Sequence, residues 1–265
     1  MELIVRLSGH MNLLKNLVTR DLKHRYVGSM GGFLWSVIQP LVLLICYSFV
    51  FTTIFQQTLD PKYGTNFPIF LLCGILPWTL FSDTVLRSCN SIIDNKSLIT
   101  KTIIQAEILP ISITVSSLIL HGIGMGVLLA ILVIFHTVPL SAFGVLIYLP
   151  ILIMMSQGLG WLVSGLQVFL RDTIQALQIL MTLWFFMTPI FYPIERVTEH
   201  LPAGYRNLPA LNPLLVVVNG YRSSLLGLPQ PDFTQIAIAT LISLAVFVGG
   251  GWIFQRAKPA FADVL

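Results

Sequence analysis

Residues 108–170 read ILPISITVSSLILHGIGMGVLLAILVIFHTVPLSAFGVLIYLPILIMMSQGLGWLVSGLQVFL, with no Asp, Glu, Lys or Arg between Glu107 and Arg171. A membrane-spanning helix takes roughly 20 apolar residues, because the hydrocarbon layer is about 30 Å thick. This run is too long for one crossing, and His136, Thr137 and Pro139 supply a turn that divides it into spans at 110–135 and 140–170. Upstream, the chain carries no charge between Arg25 and Asp60, which allows a first span at 33–55 entered through Gly28, Gly31 and Gly32. A second follows at 67–86, with a bend expected at Pro77 and an end at Arg87. Downstream, 173–191 and 233–254 give the fifth and sixth. The expected fold is an all-α integral membrane protein with six transmembrane helices and one domain over 1–265.

Composition agrees: 55% of the residues are hydrophobic, 10% are charged and the mean hydropathy is +0.85. A soluble domain carries about 25% charged residues, so a water-soluble fold could not cover this much apolar surface. The 15 Lys and Arg sit between the apolar runs and act as topology signals, not as a nucleic-acid patch. Eleven of the 15 (Arg6, Lys15, Arg20, Lys23, Arg25, Arg87, Lys96, Lys101, Arg171, Arg256 and Lys258) fall on one side of the predicted spans, which predicts both termini in the cytoplasm. Lys62, Arg196, Arg206 and Arg222 fall on the other.

Residues 1–32 are no signal peptide: Leu7, Met11, Leu14 and Val18 recur at helical spacing while Lys15, Arg20, Lys23 and Arg25 interrupt any apolar core. They read as an amphipathic helix on the cytoplasmic interface. Residues 192–232 are too polar and Pro-rich for a simple span, and Leu214–Val218 after Asn212-Pro213 is too short. The stretch reads as a periplasmic re-entrant region, with a surface loop as the alternative.

No Walker-type phosphate loop, metal-spaced His pair or carboxylate cluster appears, so the chain is expected to bind no cofactor and hold no motor. Cys46, Cys73 and Cys89 read as packing residues, and His121 as a packing or interfacial one. Asp83 lies four residues before Arg87, where a structural ion pair and a gating contact are both open readings. Ser156, Gly160 and Ser164 repeat every fourth residue and allow another helix to approach closely. In the fifth span Gln178, Thr182, Phe185 and Pro189 share a face, with Trp184, Phe186 and Tyr192 adjoining and Tyr47 and Phe51 available opposite. Sugar rings stack apolar faces on aromatics and exchange hydrogen bonds with amides and hydroxyls, so this stripe reads as a glycan pathway; packing between helices is the equal alternative. Polar residues at 90–107 offer a docking surface for a soluble partner.

Arg20-Asp21-Leu22-Lys23 with Arg25-Tyr26, then Gly32, Trp35 and Pro40, Arg171-Asp172, Pro189 and Tyr192, Asn212-Pro213, Tyr221-Arg222 and Phe261-Ala262-Asp263 follow one another along the chain. In that order they resemble the membrane-spanning subunits of type-2 ABC exporters for bacterial polysaccharides, including O-antigen, capsule and teichoic acid transporters. The resemblance implies a multi-pass protein of the bacterial inner membrane, working as a homodimer with two separate ATPase subunits that hold ATP and Mg, and undecaprenyl-linked glycan as cargo. It implies ATPase contacts at Arg20, Asp21, Lys23, Arg25, Asn95, Lys96 and Lys101, and an outer gate containing Asn212, Pro213, Tyr221 and Arg222. Ile104-Gln105 departs from the aromatic-Pro pair that relatives often carry. The alternatives are a type-2 permease for capsule, teichoic acid, lipid or drug and, further off, a membrane-embedded transferase.

Overall fold

The computed structural model of the chain describes residues 2–26, 34–54, 67–101, 105–135, 139–192, 202 and 211–264. The glycines at 28, 31 and 32, the turn at His136 and Thr137, Arg196, Arg206, Ile104 and the side chains of Phe51 and Lys101 lie outside the described set.

The described residues are helical almost throughout. In chain order the elements are α1 (Glu2–Tyr26), α2 (Trp35–Ser48) running into a π-helical turn (Phe49–Ile54), α3 (Phe67–Asp94), α4 (Lys96–Lys101), α5 (Ile108–Phe135) and α6 (Val145–Phe169) after a 3-10 turn (Leu140–Gly144). α7 (Thr173–Met187), α8 (Pro213–Leu226), α9 (Phe233–Ala257) and the short α10 (Phe261–Val264) complete the chain. Among the described residues, Phe67–Asp94, Ile108–Ile134, Leu140–Phe169 and Phe233–Ala260 are long and apolar enough to cross a membrane. Exposed Val133, Phe143 and Leu241 on these helices, with Ile45, Phe49 and Leu180 on α2, its π-turn and α7, would be untenable in water and suit lipid or a partner helix.

α3 is the hub. Most of its side chains from Phe67 to Ile92 are buried, packed against α5, α6, α7 and α8. The helix passes through Pro77 and continues beyond Arg87 to Asp94, further than the sequence suggested. The small-residue stripe on α6 faces it: Ser156 and Ser164 are fully buried, and a Cβ on Gly160 would come within 3.0 Å of Ser88 Oγ. The tightest approach lies two residues away, where a Cβ on Gly158 would lie 2.5 Å from the Val246 carbonyl of α9, and one on Gly250 would strike the Gly158 carbonyl. No side chain fits between these backbones.

At the end of the bundle where α1 docks, Leu17 joins Ile92, Leu109, Val168, Phe254 and Phe261 in a small apolar cluster. Met11, placed by spacing on the apolar face of α1, is 64% exposed, and Leu17 with Val18 is the pair that docks. The tail is tied back by Glu107, which accepts from Lys258 Nζ at 2.8 Å and Gln255 at 3.3 Å. Burial opposes charge on Glu107, yet those bonds and its own backbone outweigh it and hold the carboxyl below the usual range.

α7 is helical for 15 residues, which at 1.5 Å each spans only about 22 Å. The 173–191 segment therefore ends its helix early, because Pro189 forces Thr188 into extended backbone (φ −90°, ψ 126°).

Candidate functional site

Three regions hold the residues singled out above. At one end of the bundle, Asp21 and Arg25 sit one turn apart on α1, and Asp83 and Arg87 one turn apart on α3. Arg25 Nη2 meets Asp83 Oδ2 at 2.5 Å, and the Arg87 guanidinium meets Asp21. Within each helix the i,i+4 pairs, Arg25–Asp21 and Arg87–Asp83, stand at 3.7 Å. Ser117 of α5 donates to Asp83 Oδ2 at 2.5 Å. The Asp83–Arg87 pair read from spacing is thus half of a ring whose other half sequence could not supply.

Beside this ring a cleft of about 620 Å³ opens between α1, α3, α5 and α7, with Arg20, His24, Asn90, Asp94 and Gln178 among its lining residues. Arg20 donates to the Asn95 side chain, joining α1 to the start of α4. Residues 95–101 form a turn followed by the short helix α4, whose Leu98 N–H donates to the Asn95 carbonyl at 2.9 Å while the Asn95 amide donates back to the Ser91 carbonyl at 2.9 Å. Lys23 and Lys96 are exposed on α1 and α4. Gln167 on α6 fixes the base of α7, accepting from the Ile174 N–H at 3.0 Å and donating to Asn90 at 3.2 Å.

Along α7 the structure divides the predicted stripe in two. Gln178, Thr182 and Phe186 are exposed, with Phe186 at 61%. Trp184 and Phe185 are half-buried behind them, and Pro189 is buried. Phe185 packs against Trp78 at 5.2 Å and Phe191 at 5.0 Å, Trp184 edges onto Phe81, and Tyr47 of α2 meets Phe191 at 5.4 Å. The Tyr192 hydroxyl donates to the Phe186 carbonyl at 2.7 Å. These inner rings brace one another, which leaves Gln178, Thr182 and Phe186 as the open surface.

The other end of the bundle turns on α8. Asn212 caps it, its Oδ1 accepting from the Leu214 N–H at 3.1 Å and from Trp184 Nε1 at 3.2 Å while its amide donates to Thr188 at 3.1 Å; Pro213 fills the first turn. Arg222 is 3% exposed and places its guanidinium 3.7 Å from the Phe70 ring centroid. It donates to the carbonyls of Phe70 (3.3 Å), Pro189 (2.8 Å) and Ile190 (2.5 Å). Those last two carbonyls belong to the broken end of α7, where buried backbone needs donors that helix geometry no longer supplies.

Tyr221 is fully buried and shares a hydrogen bond with His121 Nε2 at 3.0 Å. Since His121 Nδ1 lies 3.2 Å from the Leu76 carbonyl, Nδ1 carries the proton and the tyrosine donates to Nε2. His121 was expected as a packing or interfacial residue, and it is also the polar link between α3, α5 and α8. Asn212, Tyr221 and Arg222, expected as gate residues, hold this end of the bundle together through their contacts with Thr188, His121 and the carbonyls of Pro189 and Ile190.

A sequence model of the ABC-2 type transporter family matches residues 12–226. The chain belongs to this family. It is similar to the O-antigen export system permease protein RfbA of Myxococcus xanthus, 29% identical over 99% of this chain and 98% of that one. A protein of the same name from Klebsiella pneumoniae is 27% identical over 96% of this chain and 95% of its own. The polysialic acid transport protein KpsM of Escherichia coli is 23% identical over 88% and 89%. In this ABC-2 type transporter the family match ends at Leu226, the last residue of α8. It therefore takes in the ion-pair ring, the α7 stripe and the Asn212 and Arg222 contacts. The chain is a multi-pass membrane transport subunit.

Proposed function

We propose that the chain is the permease subunit of an ATP-driven exporter moving lipid-linked polysaccharide of the O-antigen type across the bacterial cytoplasmic membrane. The observation that carries this is the end-to-end likeness to O-antigen export permeases, 29% identity over 99% of this chain. Capsule export is the second reading, favoured by the weaker likeness to a polysialic acid transport protein.

In this reading six segments cross the membrane: α2 with its π-turn, α3, α5, α6, α7 with its extended end, and α9. α8 re-enters from the periplasmic side, and both termini lie in the cytoplasm. Two copies enclose the channel, with Gln178, Thr182 and Phe186 of α7 meeting undecaprenyl-linked glycan, Tyr47, Trp184, Phe185 and Tyr192 behind them, and Phe51 counted in the same pathway. Phe186 supports this, since its ring remains 61% exposed to a sugar while it also stacks on Phe191 at 6.4 Å. Two ATPase subunits, which hold ATP and Mg, dock on α1 and α4 through Arg20, Lys23, Asn95, Lys96 and Lys101; Asp21 and Arg25, expected among these contacts, turn instead to Arg87 and Asp83 of α3 and are left out of the docking surface.

The test is genetic. Deleting the gene is expected to trap lipid-linked glycan inside the cell, and disabling the partner's nucleotide site is expected to trap the same species. Normal surface glycan in the deletion strain overturns the proposal.

A further inference from the structure

The ring of Asp21, Arg25, Asp83 and Arg87 couples α1 to the hub of the bundle, and its arrangement says what motion it permits. α1 and α3 meet head to tail there, so Asp21 faces Arg87 and Arg25 faces Asp83. Sliding α1 by one helical turn would set Arg25 against Arg87 or Asp21 against Asp83, where like charges repel. Rocking about the ring keeps both cross-helix pairs. The side chains are 18% to 32% exposed, too wet for the penalty of fully buried charge and too enclosed for full solvent screening.

Apart from the ring, α1 packs mainly along α5. Among its residues 11–25, only Leu17 and Val18 are fully buried. The cleft of about 620 Å³ beside the ring leaves space for the helix to tilt. Arg20, Lys23 and His24, on the part of α1 outside the ring, are exposed.

Resting on the proposed function, we infer that these four residues are positioning residues for transport, forming a charged joint that carries a displacement of α1 by the ATPase into α3. Through Ser117 the same joint reaches α5. The exposed face of α1 receives the partner, and the ring face hands the motion to the hub.

Charge exchange tests this without relying on loss alone. Asp21→Arg with Arg25→Asp keeps the pair within α1 but opposes like charges across the joint. Asp83→Arg with Arg87→Asp does the same from α3, and all four together restore every pairing. In vesicles holding the permease and its ATPase, each two-residue variant is expected to lower glycan moved per ATP about tenfold. The ATPase is expected to co-purify and keep its basal hydrolysis, and the four-residue variant to recover most of the transport. The melting temperature of the isolated permease is expected to follow the same cycle, falling in each pair and recovering in the quadruple variant.

A quadruple variant as poor as its parents, normal transport in either pair, or loss of ATPase binding with the pair changes would overturn the joint. A wild-type complex that moves no lipid-linked glycan would defeat the proposed function instead; the melting cycle decides the joint independently of cargo.

Discussion

Gly158→Ala isolates the tightest contact in the bundle. A Cβ there would lie 2.5 Å from the Val246 carbonyl oxygen and 2.6 Å from the Phe247 Cα, both backbone atoms that cannot rotate away. Ordinary contact needs at least 3.5 Å, so α6 and α9 must part by about 1 Å, a gap that forfeits a quarter to a half of the local dispersion energy. Overpacking of this kind costs about 1–3 kcal/mol, on the order of 5 °C in melting temperature for a chain of this size. Gly250→Ala meets the reverse side of the contact and is expected to cost as much. Gly249→Ala on the same helix meets nothing within 4 Å and is expected to leave stability unchanged or slightly raised. Tryptophan fluorescence during heating of the purified protein reads the difference, because Trp161 packs on Phe247 at 5.1 Å beside the crossing. If Gly158→Ala melts with the wild type, the close approach of α6 and α9 is wrong.

Other outcomes follow from the site. Phe186→Ala is expected to reduce surface glycan with melting unchanged, whereas Trp184→Ala, which strips a donor from Asn212, lowers melting as well; the reverse pattern would exchange their roles. Asn212→Ala loses the α8 cap and the partners of Trp184 and Thr188, and is expected to cost about 1–2 kcal/mol by thermal melting. Glu107 has its carboxyl held below the usual range, so its contribution is complete above the unfolded value of about 4.3 and fades as pH falls through the lower folded one. Glu107→Gln is therefore expected to flatten the acid side of a stability profile, and an unchanged profile would refute the Lys258 tie.

The apolar runs and the gaps between charges made the membrane fold legible, since each depends only on local composition. Asn212-Pro213 was legible for a similar reason: a capping side chain and a proline in the first turn act within one helix. The early end of α7 carried its signal in Thr188-Pro189, but hydropathy runs smoothly across it and favoured a longer span. Asp83 and Arg87 could be paired from spacing, while their partners on α1 depend on how two distant segments dock. The same limit hid the Gly158 and Gly250 contact, although the neighbouring stripe of Ser156, Gly160 and Ser164 was visible on one helix. Tyr221 and Arg222 were marked only by the family resemblance; packing reveals that they serve buried carbonyls and a histidine.

Reconstitution reaches the central claim most directly. Vesicles are loaded with lipid-linked glycan on the leaflet facing the added ATP, and its arrival on the opposite side is followed with the permease alone and with the ATPase partner. Transport is expected only when permease, ATPase and ATP are together. Hydrolysis or transport by the permease alone would contradict the account.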